Sequence, residues 1–156
     1  QLWAESLGKI DRAKKHRGLT PIGIQGPVDQ HSFLQLIMEG KRDKTVTFIK
    51  IADFNDETVI PNLSFHGLEA LDIVNDLKFS QLINHQADAT IQAIQDLQDI
   101  PCEVIEIEQV NEYAIAKLMF SYEILTSLVG QLLAIDTYNQ PGVEAGKIIL
   151  KQKLTN

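Results

Sequence analysis

Two short runs, Thr45–Ile51 and Cys102–Ile107, carry the β-branched and apolar residues that strands favour. Helical patterns stand before, between and after them. The chain joining the two runs is far longer than a hairpin turn, so it suits a crossover, and a crossover joins parallel strands. Strands alternating with helices in this way predict a layered α/β fold with a parallel sheet. Two parallel strands do not make a stable sheet alone, because such sheets need several strands and helices covering both faces. The expectation is therefore one piece of a larger α/β domain.

The remaining elements follow from local signals. Gln1 to Leu7 reads as the tail of a helix with Gly8 as its C-cap. Residues 16–30 hold Gly18, Pro21, Gly23, Gly26 and Pro27 and read as a loop. Ser32 to Met38 reads as a short helix, with Phe33, Leu36 and Ile37 at helical spacing. Residues 53–66 read as an irregular connection or a hairpin remnant. Leu68–Asn75 and Phe79–Leu97 are expected to be helices, the second with Leu82, Ile83, Ile91, Ile94 and Leu97 on its apolar side. Asn111 is placed to cap a long helix whose apolar residues fall at 115, 118, 119, 122, 125, 129, 132 and 133, a 3.6-residue period. The last helix is expected over 141–154.

Composition excludes some functions. A net charge of −7 argues against nucleic-acid binding, which needs a basic patch. The run Lys9, Arg12, Lys14, Lys15, Arg17 is the one basic cluster; as a functional patch it would point to an anionic ligand or partner, but it reads more simply as a solvated loop or helix face. Cys102 is the only cysteine, so the chain cannot form an internal disulfide, which suits a reducing compartment. It reads as a packed thiol. No apolar stretch reaches the roughly 20 residues of a membrane span, and no signal peptide is evident. A soluble, cytoplasmic protein is expected.

The segment Asn139-Gln140-Pro141-Gly142-Val143-Glu144-Ala145-Gly146-Lys147 carries the clearest chemical signal. Pro141 fits the first position of a helix, where its missing N–H is not needed and its φ is already helical. Gln140 then stands at the helix start, among unpaired N–H groups and the positive end of the dipole. Glu144 and Lys147, at i,i+3, share a face a turn further in. Such a helix start suits an anionic, oxygen-rich ligand such as a sugar phosphate. By their setting alone, Glu144 and Lys147 could be only a surface ion pair, and Glu5 only an exposed charge. His16, His66 and His85 lack motif context and read as structural or solvated.

This segment also resembles the C-terminal signature of the glucose-6-phosphate isomerase (phosphoglucose isomerase) family, a Gln-(Pro/Trp)-Gly-Val-Glu-x-x-Lys run. Gln1-Leu2-Trp3-Ala4-Glu5-Ser6-Leu7-Gly8-Lys9 resembles the family's Glu-Ser-x-Gly-Lys element. Asp29-Gln30-His31-Ser32 with Gln35-Leu36-Ile37-Met38-Glu39-Gly40 resembles its Gln-His-(Ser/Ala)…Gln-Leu…Gly element. The three occur in the family's order, and the separation of Glu5 from His31 resembles that of its shorter, bacterial forms. The resemblance implies that residues 1–156 are the C-terminal part of the second sugar-isomerase (SIS) domain. That domain is a three-layer α/β/α unit with a mostly parallel sheet, here with a C-terminal helix.

The implied activity is the cofactor-free, metal-free interconversion of glucose 6-phosphate and fructose 6-phosphate through an enediolate, in glycolysis and gluconeogenesis. The implied roles are Glu5 as the C1/C2 proton shuttle and His31 as the ring-opening histidine donated by the neighbouring subunit of a homodimer. Lys147 assists ring opening and Gln140 lies near the phosphate. The family's Gly-Gly-Arg segment and Ser/Thr-rich phosphate loop have no counterpart here, so the chain alone is expected to be inactive. The alternative is a non-catalytic sugar-phosphate-binding SIS module with a regulatory or assembly role, which would not need Glu5 and His31 together.

Overall fold

A computed structural model describes residues 1–155, without the side chains of Leu97 and Gln98. The elements in chain order are α1 (Leu2–Leu7), α2 (Gly26–Glu39), β1 (Val46–Ile51), a 3₁₀ segment (Glu69–Val74), α3 (Phe79–Gln98), β2 (Cys102–Ile107), α4 (Glu112–Leu132) and α5 (Pro141–Thr155). β1 and β2 pair in parallel, in register from Val46↔Cys102 to Ile51↔Ile107, with α3 in the crossover. The molecule is a mixed α/β chain with a two-stranded parallel sheet. It divides into two compact units, Gln1–Gly23 with Ala116–Asn156, and Ile24–Ile115.

In the unit Ile24–Ile115, Ile37 of α2, Ile94 of α3 and Ile100 are buried together. Phe33, Leu34, Met38, Val46, Phe48 and Cys102 pack around them. Gln30 Nε2 adds a 2.6 Å hydrogen bond to Thr90 Oγ1, tying α2 to α3. Cys102 is a packed thiol as expected, and burial raises its pKa. On α3, Ile91 and Ile94 are buried and Leu82 and Ile83 half-buried, as the periodicity predicts. Leu97, expected on the same side, has its side chain outside the described residues.

Two local readings are corrected. The loop expected over 16–30 ends at Gln25, and α2 begins at Gly26, six residues before Ser32. Pro27 falls in the helix's first turn, and Asp29 Oδ2 accepts the Gln25 N–H at 2.7 Å, so the supposed loop residues are helix-starting chemistry. Leu68–Asn75 holds only a 3₁₀ segment with no buried residue, so no packed face sustains an α-helix there. The connection before it does fold back, with Ile60 N–H bonded to Leu77 O at 2.9 Å and Phe79 N–H to Thr58 O at 3.0 Å.

α4 forms where the apolar period predicts. Asn111 caps it as expected, its Oδ1 accepting the Ala114 N–H at 2.9 Å. The buried positions of this helix are nevertheless Thr126 and Gly130, while Ile115, Met119, Leu125 and Leu132 of the apolar period are exposed. Gly130 is where the chain beyond the helix seats itself. A Cβ there would lie 2.0 Å from Thr137 Cγ2, and Thr137 is buried.

Candidate active site

All residues of this site belong to the unit formed by residues 1–23 and 116–156. α1 ends at Gly8, whose N–H bonds to Ala4 O; its φ of −72° is not the left-handed value common at helix ends. The next two carbonyls, Glu5 O and Ser6 O, accept hydrogen bonds from Lys9 Nζ at 2.7 and 3.1 Å. Lys9 is buried for this reason, which corrects its reading as part of a solvated basic face. Arg12, Lys14 and Lys15 of that cluster are exposed as expected.

Residues 9–17 form a tight antiparallel turn, with Arg17 N–H to Lys9 O at 2.7 Å and Asp11 N–H to Lys15 O at 2.9 Å. The Asp11 carboxylate holds it together, accepting the Lys15 N–H at 2.9 Å and Arg17 Nε at 2.8 Å. Arg17 Nη2 completes the ion pair at 2.7 Å. Gly18 closes the turn at φ +97°, and a Cβ there would stand 2.7 Å from Leu7 O, so both backbone conformation and space require glycine.

The Lys15 backbone N–H and then Arg17 hold the Asp11 pKa below the usual carboxylate value. A depressed folded-state pKa means that Asp11 stabilises the fold at pH values above its unfolded value of about 3.9, and that this stabilisation is lost as the pH falls through the lower folded value. Asp11→Asn is therefore expected to lower the melting temperature at pH 7, with the gap to the unaltered chain closing as the pH drops below about 4. Thermal melts of full-length proteins with and without the substitution across that range check it; a gap that stays constant would remove Asp11 ionisation from the account.

The other wall is built after α4. Ile135 N–H bonds to Gly130 O at 3.0 Å, and Tyr138 Oη donates to Ser127 Oγ at 3.0 Å. Asp136 Oδ1 accepts the Tyr138 N–H at 2.9 Å, and Asn139 Nδ2 donates to Asp136 Oδ2 at 2.5 Å. These bonds lead into Gln140, whose carbonyl accepts from Val143 and Glu144, both at 3.1 Å. Gln140 is thus the N-cap residue of α5 and Pro141 its first helical residue, as the sequence predicts.

Between these walls lies a cavity of about 720 Å³. Glu5, Lys9, His16 and Arg17 line one side, and Asp136, Asn139, Gln140 and the first residues of α5 the other. Glu5 and Gln140, from opposite ends of the chain, meet here. Glu5 is exposed, and its Oε2 accepts a 3.3 Å hydrogen bond from Gln1 Nε2. Lys147 is not part of the lining; its Nζ pairs with Glu144 Oε1 at 2.7 Å on the exposed face of α5. His31 belongs to the other unit, exposed in the second turn of α2 and not in a loop.

His16, Asp136 and Asn139 also line this cavity and were not singled out from the sequence, while Lys9 and Arg17 entered only as part of the basic cluster. A lysine just after a helix end was a usable signal for Lys9, since it can bond the last carbonyls. His16, expected to be structural or solvated, is exposed but lines the cavity, and no local pattern marked it. Among the described residues, no group of three or more His, Cys, Asp or Glu side chains could hold a metal ion. No helix among them is long and apolar enough to cross a membrane.

Similarity to known proteins extends over essentially the whole chain. A family model described as phosphoglucose isomerase matches residues 8–156. Glucose-6-phosphate isomerase of Campylobacter jejuni is 47% identical over 156 residues, covering 100% of this chain and 37% of the relative. That of Rubrobacter xylanophilus is 36% identical over 149 residues, covering 96% and 33%. A crystal structure of a Thermus thermophilus protein, described as hypothetical, superposes with a TM-score of 0.89 at 32% identity, covering 99% of this chain and 37% of that one. The chain spans about a third of the length of the curated relatives it matches. Glu5 lies before the family match but within the Campylobacter alignment, which takes in the whole chain. By the extent of the family match and by its identity to these relatives, this chain belongs to the phosphoglucose isomerase family.

Proposed function

We propose that this chain supplies the C-terminal share of a glucose-6-phosphate isomerase active site, interconverting glucose 6-phosphate and fructose 6-phosphate through an enediolate. Residues 1–156 would be the later part of the second sugar-isomerase domain, a three-layer α/β/α unit, in a cytoplasmic glycolytic enzyme. The parallel β1–β2 pair with a helical crossover supports that architecture. The observation that carries the function is Glu5 and Gln140 lining one cavity at the start of α5. A carboxylate there can move a proton between adjacent carbons, while the helix start and the Gln140 amide suit phosphate oxygens.

In this reading Glu5 shuttles the C1/C2 proton and Gln140 contacts substrate near the phosphate. Lys147 with His31 opens the ring, so the Glu144–Lys147 pair must loosen for Lys147 to reach sugar oxygens. A non-catalytic sugar-phosphate module would need only the start of α5; a carboxylate lining the same cavity favours catalysis.

The expected homodimer, with His31 donated across subunits, has a direct test. Full-length chains carrying Glu5→Gln and full-length chains carrying His31→Ala should each be nearly inactive alone. Refolded together, they should recover roughly a quarter of normal activity, because half the dimers are mixed and each of those holds one intact site. Absence of any recovery, with mixed dimers shown to form, would mean that each site takes both residues from one chain.

A further inference from the structure

Lys9 spends a buried ammonium on two backbone carbonyls, and one of them belongs to Glu5. Burying a lysine is unfavourable unless its donors are satisfied, so a residue whose only task was to fill space would serve better as an apolar one. Here Nζ donates to Glu5 O at 2.7 Å and Ser6 O at 3.1 Å, in the last turn of a six-residue helix too short to hold itself rigid. The lysine's own backbone is anchored in turn. Its carbonyl accepts the Arg17 N–H at 2.7 Å, and Arg17 is fixed by the Asp11 carboxylate. An unbroken series of bonds therefore runs from Asp11 through Arg17 and Lys9 to the peptide unit that carries Glu5.

We infer that Lys9 is the positioning residue for Glu5, holding its backbone so that the carboxylate meets the reacting carbons at a constant angle. Lys9 itself transfers no proton. The inference rests on Glu5 being the base, and it deepens that reading by naming what aims it. An error of about 1 Å in the placement of a reacting group can lower a rate on the order of 100-fold. The effect belongs in turnover and not in substrate affinity, since the proposed phosphate contacts at Gln140 stand on the opposite wall.

The test is a kinetic double-mutant cycle in a full-length isomerase carrying this segment, with glucose 6-phosphate as the probe. Lys9→Met keeps the apolar stem and removes the donors. It should lower kcat roughly 10- to 100-fold with KM nearly unchanged. In the Glu5→Gln background the same change should alter the residual turnover by no more than about twofold, because there is no base left to aim. An equal fold-loss in both backgrounds would overturn the role of Lys9 and leave Glu5 as the base. Near-normal turnover from Glu5→Gln alone would overturn the base and this inference with it. Should Lys9→Met fail to fold, Lys9→Arg retains donors and carries the same cycle, with a several-fold loss expected beside Glu5 and none beyond about twofold in the Glu5→Gln background.

Discussion

Glu5→Gln in a full-length isomerase carrying this segment is expected to lower kcat by roughly 10²- to 10⁴-fold, with KM for glucose 6-phosphate nearly unchanged. Glutamine has the size of glutamate, can still bond to Gln1 Nε2 through its carbonyl oxygen, and leaves α1 intact. It cannot accept a proton. The substitution therefore removes an interaction made in the transition state and spares those made to bound substrate, so kcat and kcat/KM should fall together. Exchange of the substrate's C2 hydrogen with solvent should be lost in parallel. Turnover close to normal, or continued exchange, would sink the assignment of Glu5 as the base.

Ile94→Ala in a full-length isomerase carrying this segment is expected to destabilise the domain by about 2–5 kcal/mol. Ile94 is 0% exposed and meets Ile37 of α2 and Ile100 beside β2, so it joins both helices of its unit to the sheet. With only Ile37, Ile91, Ile94 and Ile100 buried among the described hydrophobic residues of that unit, little neighbouring mass can collapse into the gap. Urea unfolding followed by circular dichroism would read the loss as a lower midpoint. A change below about 1 kcal/mol, the ordinary effect of a point substitution, would show that Ile94 does not anchor this core.

The particular residues show how far local signals reach. Both strands were legible because β-branched runs bounded by breakers have few alternatives, and α4 and α5 because Asn111 and Pro141 announce helix starts. The start of α2 was misread because Gly26 and Pro27 suit a loop as well as a first turn, and the Gln25–Asp29 bond that decides the matter is not visible in composition. The 3₁₀ segment was misread because helical spacing says nothing about whether a face will be covered.

For the site, the motifs assigned roles to Glu5, His31, Gln140 and Lys147 and contained Lys9 without giving it one. Sequence alone determined the two strands, the order and approximate extent of most helices, and the family, since these rest on bonding within a few residues or on motifs read directly. Only the tertiary structure decided that His16 lines a cavity and that Glu5 and Gln140 share it. Lys9 is held by carbonyls only three and four residues before it, whereas the shared cavity depends on which distant segments exclude water from one another. Residue type and spacing along the chain do not encode that; closure of the 9–17 turn by Asp11 and seating of Thr137 on Gly130 do.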